Sequence, residues 1–131
     1  MIRLAVCDDE IGLLTQVDQL ISNYNQNRTS EGKVIVSTFL SPKTLLANVE
    51  DGDTYDVYLL DIEMPDMDGL TLARAIKKIQ EQAVIVFLTS HSSMAFTVET
   101  VKLGGTRYVS KLDMEESLPE ALDISIQKVE D

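Results

Sequence analysis

The sequence from Tyr55 to Gly69 reads YDVYLLDIEMPDMDG, and this stretch decides the fold. It begins with a run that is apolar except for Asp56, a pattern typical of a buried parallel strand, and the run ends at Asp61. The remainder holds a proline and an Asp-Gly pair, which indicate a loop. A helical pattern follows, and its predicted inward residues are Leu72, Ala73, Ile76 and Ile79. The stretch therefore predicts a strand, an acidic loop and a helix.

Similar units lie on both sides of this stretch. The predicted strands are Ile2 to Cys7, Lys33 to Leu40, Tyr55 to Leu60, Ala83 to Leu88 and Thr106 to Ser110. The first predicted helix begins at Ile11, and the second opens at Ser41-Pro42. The third follows Gly69, the fourth crosses Met94, Val98 and Val101 before Gly104-Gly105, and the fifth spans Glu115 to Val129. Strands that alternate with helices across short loops are typical of parallel sheets, and right-handed crossovers put helices on both faces. We predict an α/β fold with a doubly wound, five-stranded parallel sheet and five helices.

Length and composition indicate a single domain. The chain has 131 residues, 44% of them hydrophobic, which is enough for one core. We therefore expect one domain over residues 1–131. No apolar stretch approaches the roughly 20 residues needed to cross a bilayer, and the early acids argue against a signal peptide. One cysteine and one histidine exclude a disulfide framework and a zinc finger, so a cytoplasmic protein without membrane contact is expected.

The charge balance argues against nucleic-acid binding by this domain. The chain has 11 basic and 22 acidic residues, a formal net charge of -11. Glu50 to Asp68 carries eight acids and no base. Because DNA-binding surfaces are usually basic, any contact with nucleic acid would need another domain.

Polar residues follow four of the five predicted strands. Asp8 and Asp9 follow the first strand, Asp61 the third, Thr89 the fourth and Lys111 the fifth. The carboxyl ends of parallel strands share one edge, where ligands of such sheets bind. Carboxylates that meet there repel one another unless a cation offsets their charge, and Mg²⁺ prefers oxygen ligands. Such an ion would attract a phosphoryl group, so Asp61 is either a metal ligand or a nucleophile. Thr89 would donate a hydrogen bond and Lys111 a positive charge to the same group.

Three segments and one lysine resemble the bacterial response-regulator receiver domain. The segments are Ala5 to Glu10, Leu59 to Leu70 and Phe87 to Ser90, and the lysine is Lys111. The resemblance covers essentially the whole chain and implies the flavodoxin-like strand order 2-1-3-4-5. It also implies a signalling switch that assists its own phosphorylation and dephosphorylation rather than an enzyme.

The resemblance implies a role for each residue of the predicted site. Asp61 is then the phosphoacceptor and Lys111 the partner of the phosphate. The switch residues are Thr89, through its hydroxyl, and the aromatic Tyr108. The implied Mg²⁺ ligands are Asp8, Asp9, Asp61 and the main-chain carbonyl of Glu63.

The resemblance further implies partners. A sensor histidine kinase donates the phosphoryl group, and the face made by the fourth helix, fifth strand and fifth helix binds a second copy or an output domain. We expect no output domain within residues 1–131. Phe39 to Ser41 and Val86 to His91 look most like receivers of the LytTR type, which precede a DNA-binding domain. Two alternatives stay open, namely a phosphorylation-independent interaction module and an aspartyl phosphohydrolase. A flavin protein is disfavoured because this edge is acidic.

One position departs from the family pattern. The family usually has proline after the lysine, joined by a cis bond, whereas this chain has Lys111-Leu112. A cis bond before a residue other than proline costs about 2.5–4 kcal/mol. We therefore predict a trans bond and an altered approach of Lys111 to the phosphate.

Overall fold

The computed structural model of the chain describes residues 1–90 and 107–130. The strands of this part are β1 (Ile2–Cys7), β2 (Val34–Phe39), β3 (Val57–Asp61), β4 (Val84–Thr89) and β5 (Arg107–Ser110). Its α-helices are α1 (Ile11–Asn25), α2 (Pro42–Glu50), α3 (Gly69–Ile79) and α4 (Met114–Glu130), and a 3₁₀ turn covers Ser30–Gly32. The predicted alternation of strands and helices is confirmed over these ranges. None of the described helices has the length and apolar character to span a bilayer.

The strands form one parallel sheet in the order β2-β1-β3-β4-β5. This confirms the doubly wound fold and the 2-1-3-4-5 order. The register sets Cys7 opposite Leu60, Asp61 opposite Leu88, and Thr89 opposite Ser110. The chain therefore leaves neighbouring strands at nearly the same level, and the predicted site residues share one edge.

The core has two halves, one on each face of the sheet. Side chains of α1 and α4 pack on one face, and those of α2 and α3 on the other. All five side chains of β3 are buried, with Val57 and Leu59 in the first half and Tyr58 and Leu60 in the second. A central strand covered on both faces needs apolar side chains at consecutive positions, which explains the run that decides the fold.

Some predicted boundaries are wrong. The third strand was expected to begin at Tyr55 but begins at Val57. Asp56 lies outside it because its carboxylate accepts a hydrogen bond from the Arg3 main-chain N–H, 2.8 Å away. Ile79 was expected to face inward but is 47% exposed. The Gln80 side chain makes the contacts at that end of α3 instead.

The prediction of a trans bond between Lys111 and Leu112 is confirmed. Ser41 precedes α2 with Pro42 at its start, as predicted, but the Ser41 side chain makes no capping hydrogen bond. The predicted helix across Met94, Val98 and Val101 lies outside the described residues, as does Thr106.

Candidate functional site

Backbone hydrogen bonds beyond the strands hold the predicted site residues at the carboxyl edge. The Asp8 N–H donates to the Phe39 carbonyl at 3.1 Å, and the Lys111 N–H donates to the Thr89 carbonyl at 2.8 Å. Asp8, Asp61 and Thr89 are all buried, with exposures of 0%, 3% and 4%. The sheet therefore carries these polar groups into a site with little solvent.

Lys111 joins the two buried acids. Its Nζ lies 2.9 Å from Asp8 Oδ2 and 3.3 Å from Asp61 Oδ1, and its side chain is 15% exposed. A single ammonium group therefore offsets two carboxylates. The pairing leaves the interior of the site short of positive charge.

This shortage shows in the ionisation of Asp61. Burial and the charge of Asp8 raise the pKa of Asp61 to about 6, although Lys111 opposes the shift. Burial lowers the pKa of Lys111, but its contacts with Asp8 and Asp61 outweigh that effect, so the pKa is raised overall. Lys111 is thus fixed as a cation, and Asp61 gains from any further positive charge.

The acids next to Lys111 suit a hard divalent ion. Asp8, Asp9 and Glu10 each offer a carboxylate oxygen, and the three oxygens lie within 4.8 Å of one another. Asp8 Oδ2 is buried, and its one close partner among the described residues is Lys111 Nζ, 2.9 Å away, which Asp61 shares. Carboxylate oxygens are the donors that Mg²⁺ prefers, so these residues fit that ion.

Glu10 was not among the predicted ligands. Its position directly after Asp8 and Asp9 is the feature of the sequence that could have identified it. In the structure, the Glu10 N–H donates to Asp8 Oδ1 at 2.9 Å. Asp61 connects to Asp8, one of the three acids, through Lys111 Nζ. The Glu63 N–H donates to Asp61 Oδ1 at 3.3 Å, which restrains the carboxylate. Metal binding by Asp61 and by the Glu63 carbonyl stays a prediction.

A small cavity joins the other predicted site residues. Its volume is about 110 Å³, room for roughly three or four water molecules. Its lining residues are Asp9, Glu10, Asp61, Glu63, Thr89, Ser90 and Lys111. The structure therefore brings Asp61, Thr89 and Lys111 to one space that could hold a tetrahedral group.

Gly69 is a residue of the site that the sequence analysis read only as a turn signal. A Cβ at this position would lie 2.2 Å from the Asp61 carbonyl oxygen. The Gly69 N–H donates to the Ile62 carbonyl at 2.8 Å, and Asp68 caps α3 by accepting from the Thr71 N–H at 2.7 Å. Only glycine allows α3 to begin this close to the main chain of Asp61.

The proposed switch residues differ in exposure. Thr89 is buried at the end of β4, whereas Tyr108 lies on β5, opposite Phe87, and is 44% exposed. Tyr108 thus points outward in this structure. Its role as a switch stays a prediction.

Comparison with known families finds one match over most of the chain. Residues 4–123 match the family described as the response regulator receiver domain. The response regulator protein TodT of Pseudomonas putida is 25% identical over 122 residues, which cover 93% of this chain and 50% of that protein. The transcriptional regulatory protein ZraR of Salmonella typhimurium is 30% identical over 125 residues, which cover 92% of this chain and 26% of that protein. The chain thus spans half or less of the length of these relatives.

Solved structures agree on the fold. A receiver domain protein (CheY-like) from Methanospirillum hungatei superposes with a TM-score of 0.82 at 22% identity, covering 99% of this chain and 97% of that one. A receiver domain from Clostridium thermocellum gives a TM-score of 0.83 at 24% identity, covering 99% and 98%. The resemblance inferred from the sequence is confirmed at the level of the family, and the LytTR subtype stays a prediction.

Proposed function

The chain belongs to the response regulator receiver domain family, and we propose that it is a switch in which Asp61 accepts a phosphoryl group from a histidine kinase. The observation that carries the proposal is the placement of Asp61. Its carboxylate is buried, lies 3.3 Å from Lys111 Nζ and lines the cavity that Thr89 also lines. A nucleophile, a cation and a hydroxyl donor therefore surround one space.

In the proposed step, an oxygen of Asp61 bonds to phosphorus while the phosphorus–nitrogen bond of the kinase's phosphohistidine breaks. The electron pair of that bond stays with the imidazole, which then takes up a proton. Asp61 must be ionised to attack, and its pKa of about 6 leaves it mostly ionised at neutral pH. Lys111 offsets charge on the transferred oxygens, and the Thr89 hydroxyl donates a hydrogen bond to one of them.

We include Mg²⁺ among the proposed requirements. Asp8, Asp9, Asp61 and the Glu63 main-chain carbonyl are the proposed ligands, and Glu10 joins them because its carboxylate oxygen lies within 4.8 Å of those of Asp8 and Asp9. When bound, the ion would neutralise charge on the phosphoryl oxygens. The buried Asp8 Oδ2, whose one close partner within the described ranges is a lysine shared with Asp61, supports this part of the proposal.

The proposed output is a shift between two conformations. An acyl phosphate on Asp61 would draw the Thr89 hydroxyl toward it, and Tyr108 would turn inward from its exposed position. The change would reach the face that includes β5 and α4, where we propose that a second copy or an output domain binds. Since ZraR is by name a transcriptional regulator, we propose control of transcription through a domain outside residues 1–131. We also propose a cytoplasmic location, because control of transcription takes place where the DNA is.

Intact-mass measurement after incubation with acetyl phosphate and Mg²⁺ tests the proposal. We expect the wild-type protein to gain one phosphoryl group, about 80 Da. Asp61→Asn should show no gain, because an amide replaces the nucleophilic carboxylate. Asp66→Asn, which removes an exposed acid from the same loop, is the matched control and should gain as wild type does. A gain that survives Asp61→Asn would contradict the assignment of the acceptor.

Two other results would support the alternatives. No mass gain with any small phosphodonor, together with no Mg²⁺ binding by titration, would favour a phosphorylation-independent interaction module. Continuous release of phosphate from small phosphate esters would favour an aspartyl phosphohydrolase.

A further inference from the structure

A groove runs between α1 and the outer edge of β2, away from the acidic cavity. Its volume is about 370 Å³. Ile11, Thr15 and Asp18 of α1 line one side, and Val36, Thr38 and Leu40 line the other. Ile11 is 70% exposed and Leu40 is 51% exposed, so the groove is open and partly apolar. The proposed function uses none of these side chains.

The strand beside the groove is an edge of the sheet. β2 pairs only with β1 among the described strands. Successive residues of a strand direct their N–H and C=O groups to opposite sides, so every second residue of β2 faces outward. The Ile2 N–H donates to the Lys33 carbonyl, which identifies Lys33 as inward and Val34 as outward. Val36 and Thr38 are therefore outward as well.

The Asn25 side chain shows what this edge binds. Asn25 Nδ2 donates to the Val34 carbonyl at 2.9 Å, and the Val34 N–H donates to Asn25 Oδ1 at 2.9 Å. A side-chain amide thus makes the two hydrogen bonds that a peptide group of an added strand would make. No group in residues 1–90 or 107–130 does the same for Val36 or Thr38. Asn25 therefore closes the edge at Val34 and leaves it open over the next two outward residues.

We propose that this groove binds an extended segment of a partner protein, which adds to the sheet beside β2. Its main chain would bond to Val36 and Thr38, and one of its apolar side chains would lie against Ile11 and Leu40. A lysine or arginine two positions away would face Asp18. The side chains that enter such a groove come from alternate residues, which matches the spacing of Val36 and Thr38.

The negative charges around the groove favour a basic segment of a partner protein over a second copy of the chain. Asp18 is exposed and forms no ion pair in the described part of the molecule. A second copy would bring its own Asp18 and a net charge of -11 to the same interface. Like charges at close range oppose association, whereas a basic segment is complementary.

Titration of blocked peptides into the isotope-labelled protein, followed by amide NMR, tests the proposal. The probes are eight-residue Ser/Thr peptides with leucine and arginine two positions apart, made in both orders so that both strand directions are covered. We expect the Val36 and Thr38 amide signals to move, with a Kd on the order of 1 mM or lower. The Asp61→Asn protein should bind equally, which separates this proposal from the proposed function.

Matched controls test each element of recognition. Replacing the peptide's arginine by glutamate should weaken binding at least about tenfold. Asp18→Lys should reverse that preference, while Gln19→Lys, a neighbouring exposed position outside the groove, should keep the preference for arginine. N-methylation of the peptide amides that face β2 should abolish binding, because it removes the main-chain donors.

Three results would overturn the proposal. One is equal binding by the N-methylated peptide. Another is the absence of any change at Val36 and Thr38 with every peptide. The third is a wild-type dimer in sedimentation whose amide signals are altered along this groove, which would make a second copy the occupant.

Discussion

Buried polar groups are paired differently at the two ends of the sheet. At the carboxyl end, Asp8 and Asp61 are buried and share one lysine, so two buried carboxylates have a single positive charge between them. At the amino end, buried polar atoms are paired with one another. In the part of the chain that the structure describes, the buried and incompletely balanced charge therefore lies at the end where the phosphoryl group is proposed to bind.

The amino end is held by a network around two tyrosines. Tyr58 Oη accepts from the Tyr55 N–H at 3.0 Å and donates to Gln80 Oε1 at 2.6 Å. Gln80 Nε2 then donates to the Tyr55 carbonyl at 2.7 Å. The Arg3 guanidinium lies over the Tyr55 ring, 4.7 Å from its centre, and pairs with Asp53 at 2.7 Å. These contacts stabilise the fold without serving the proposed reaction.

Gly69→Ala should have the largest effect, because it forces the carboxyl end to move. The new Cβ would lie 2.2 Å from a backbone oxygen, which cannot give way as a flexible side chain can. We expect a loss of about 3 kcal/mol or more in the free energy of unfolding, measured by urea denaturation. Gly12→Ala is the control, since a Cβ added there would meet no atom within 4 Å beyond its chain neighbours and the backbone of its own helix, and it should not destabilise. Equal stability of the two variants would contradict the close approach of α3.

Tyr58→Phe should disrupt the hydrogen-bond network at the amino end of the sheet while keeping the aromatic ring. It leaves the buried Tyr55 N–H and the Gln80 side chain without their shared partner, at a cost of about 2 kcal/mol. Tyr108→Phe removes the hydroxyl of a half-exposed tyrosine and should change stability by less than about 0.5 kcal/mol. Thermal and urea unfolding of both variants measure the contrast, which disappears if the network contributes nothing.

Asp61→Asn should remove a buried negative charge from the carboxyl end of the sheet. In EDTA at pH 7, we expect the free energy of unfolding to rise by about 1–2 kcal/mol. The folded protein holds the Asp61 proton more tightly than the unfolded chain, because the pKa is raised from 3.8 to about 6. The contribution of Asp61 to wild-type stability should therefore fall as the pH rises from about 4 to about 7. Lys111 keeps Asp8 as its partner in the variant.

The Asn variant should lack this pH-dependent fall, which urea titrations at several pH values would measure. Asp66→Asn should retain it. A variant that is less stable than wild type in EDTA at pH 7 would show that the site is not under electrostatic strain.

Asp53→Asn should have the smallest effect, because the Arg3–Asp53 pair is about half exposed. The hydrogen bond from Arg3 lowers the pKa of Asp53, so the pair stabilises the protein above the ordinary pKa of aspartate. That contribution is lost as the pH falls through the lowered value. The difference between variant and wild type should shrink at about 1 M NaCl, because salt screens exposed charges. An undiminished difference would mean that the pair acts through packing.

The sequence predicted the architecture well because each buried strand appears in it as a short apolar run. Asp61 could be recognised because an acid directly ends the apolar run of a central strand. The strand order needed the family resemblance in addition. Ile79 shows the limit of helical periodicity, which cannot tell whether the space under the end of α3 is taken by another side chain.

Contacts between distant residues escaped the sequence analysis. The link of Tyr58 to Gln80 spans 22 positions, and Asn25 reaches Val34 across a turn. Neither leaves a periodic pattern. Glu10 and Gly69 carried signals, but their importance depends on how closely other parts of the backbone approach them.

By itself, the sequence determined the alternation of strands and helices and the edge where acids, a hydroxyl and a lysine meet, because these follow from local burial and strand polarity. Only the tertiary structure decided that Lys111 is shared by Asp8 and Asp61, that the pKa of Asp61 is raised, and that no other described strand pairs with the outer edge of β2. These properties depend on distances between segments far apart in the chain, which strand register and helix packing set.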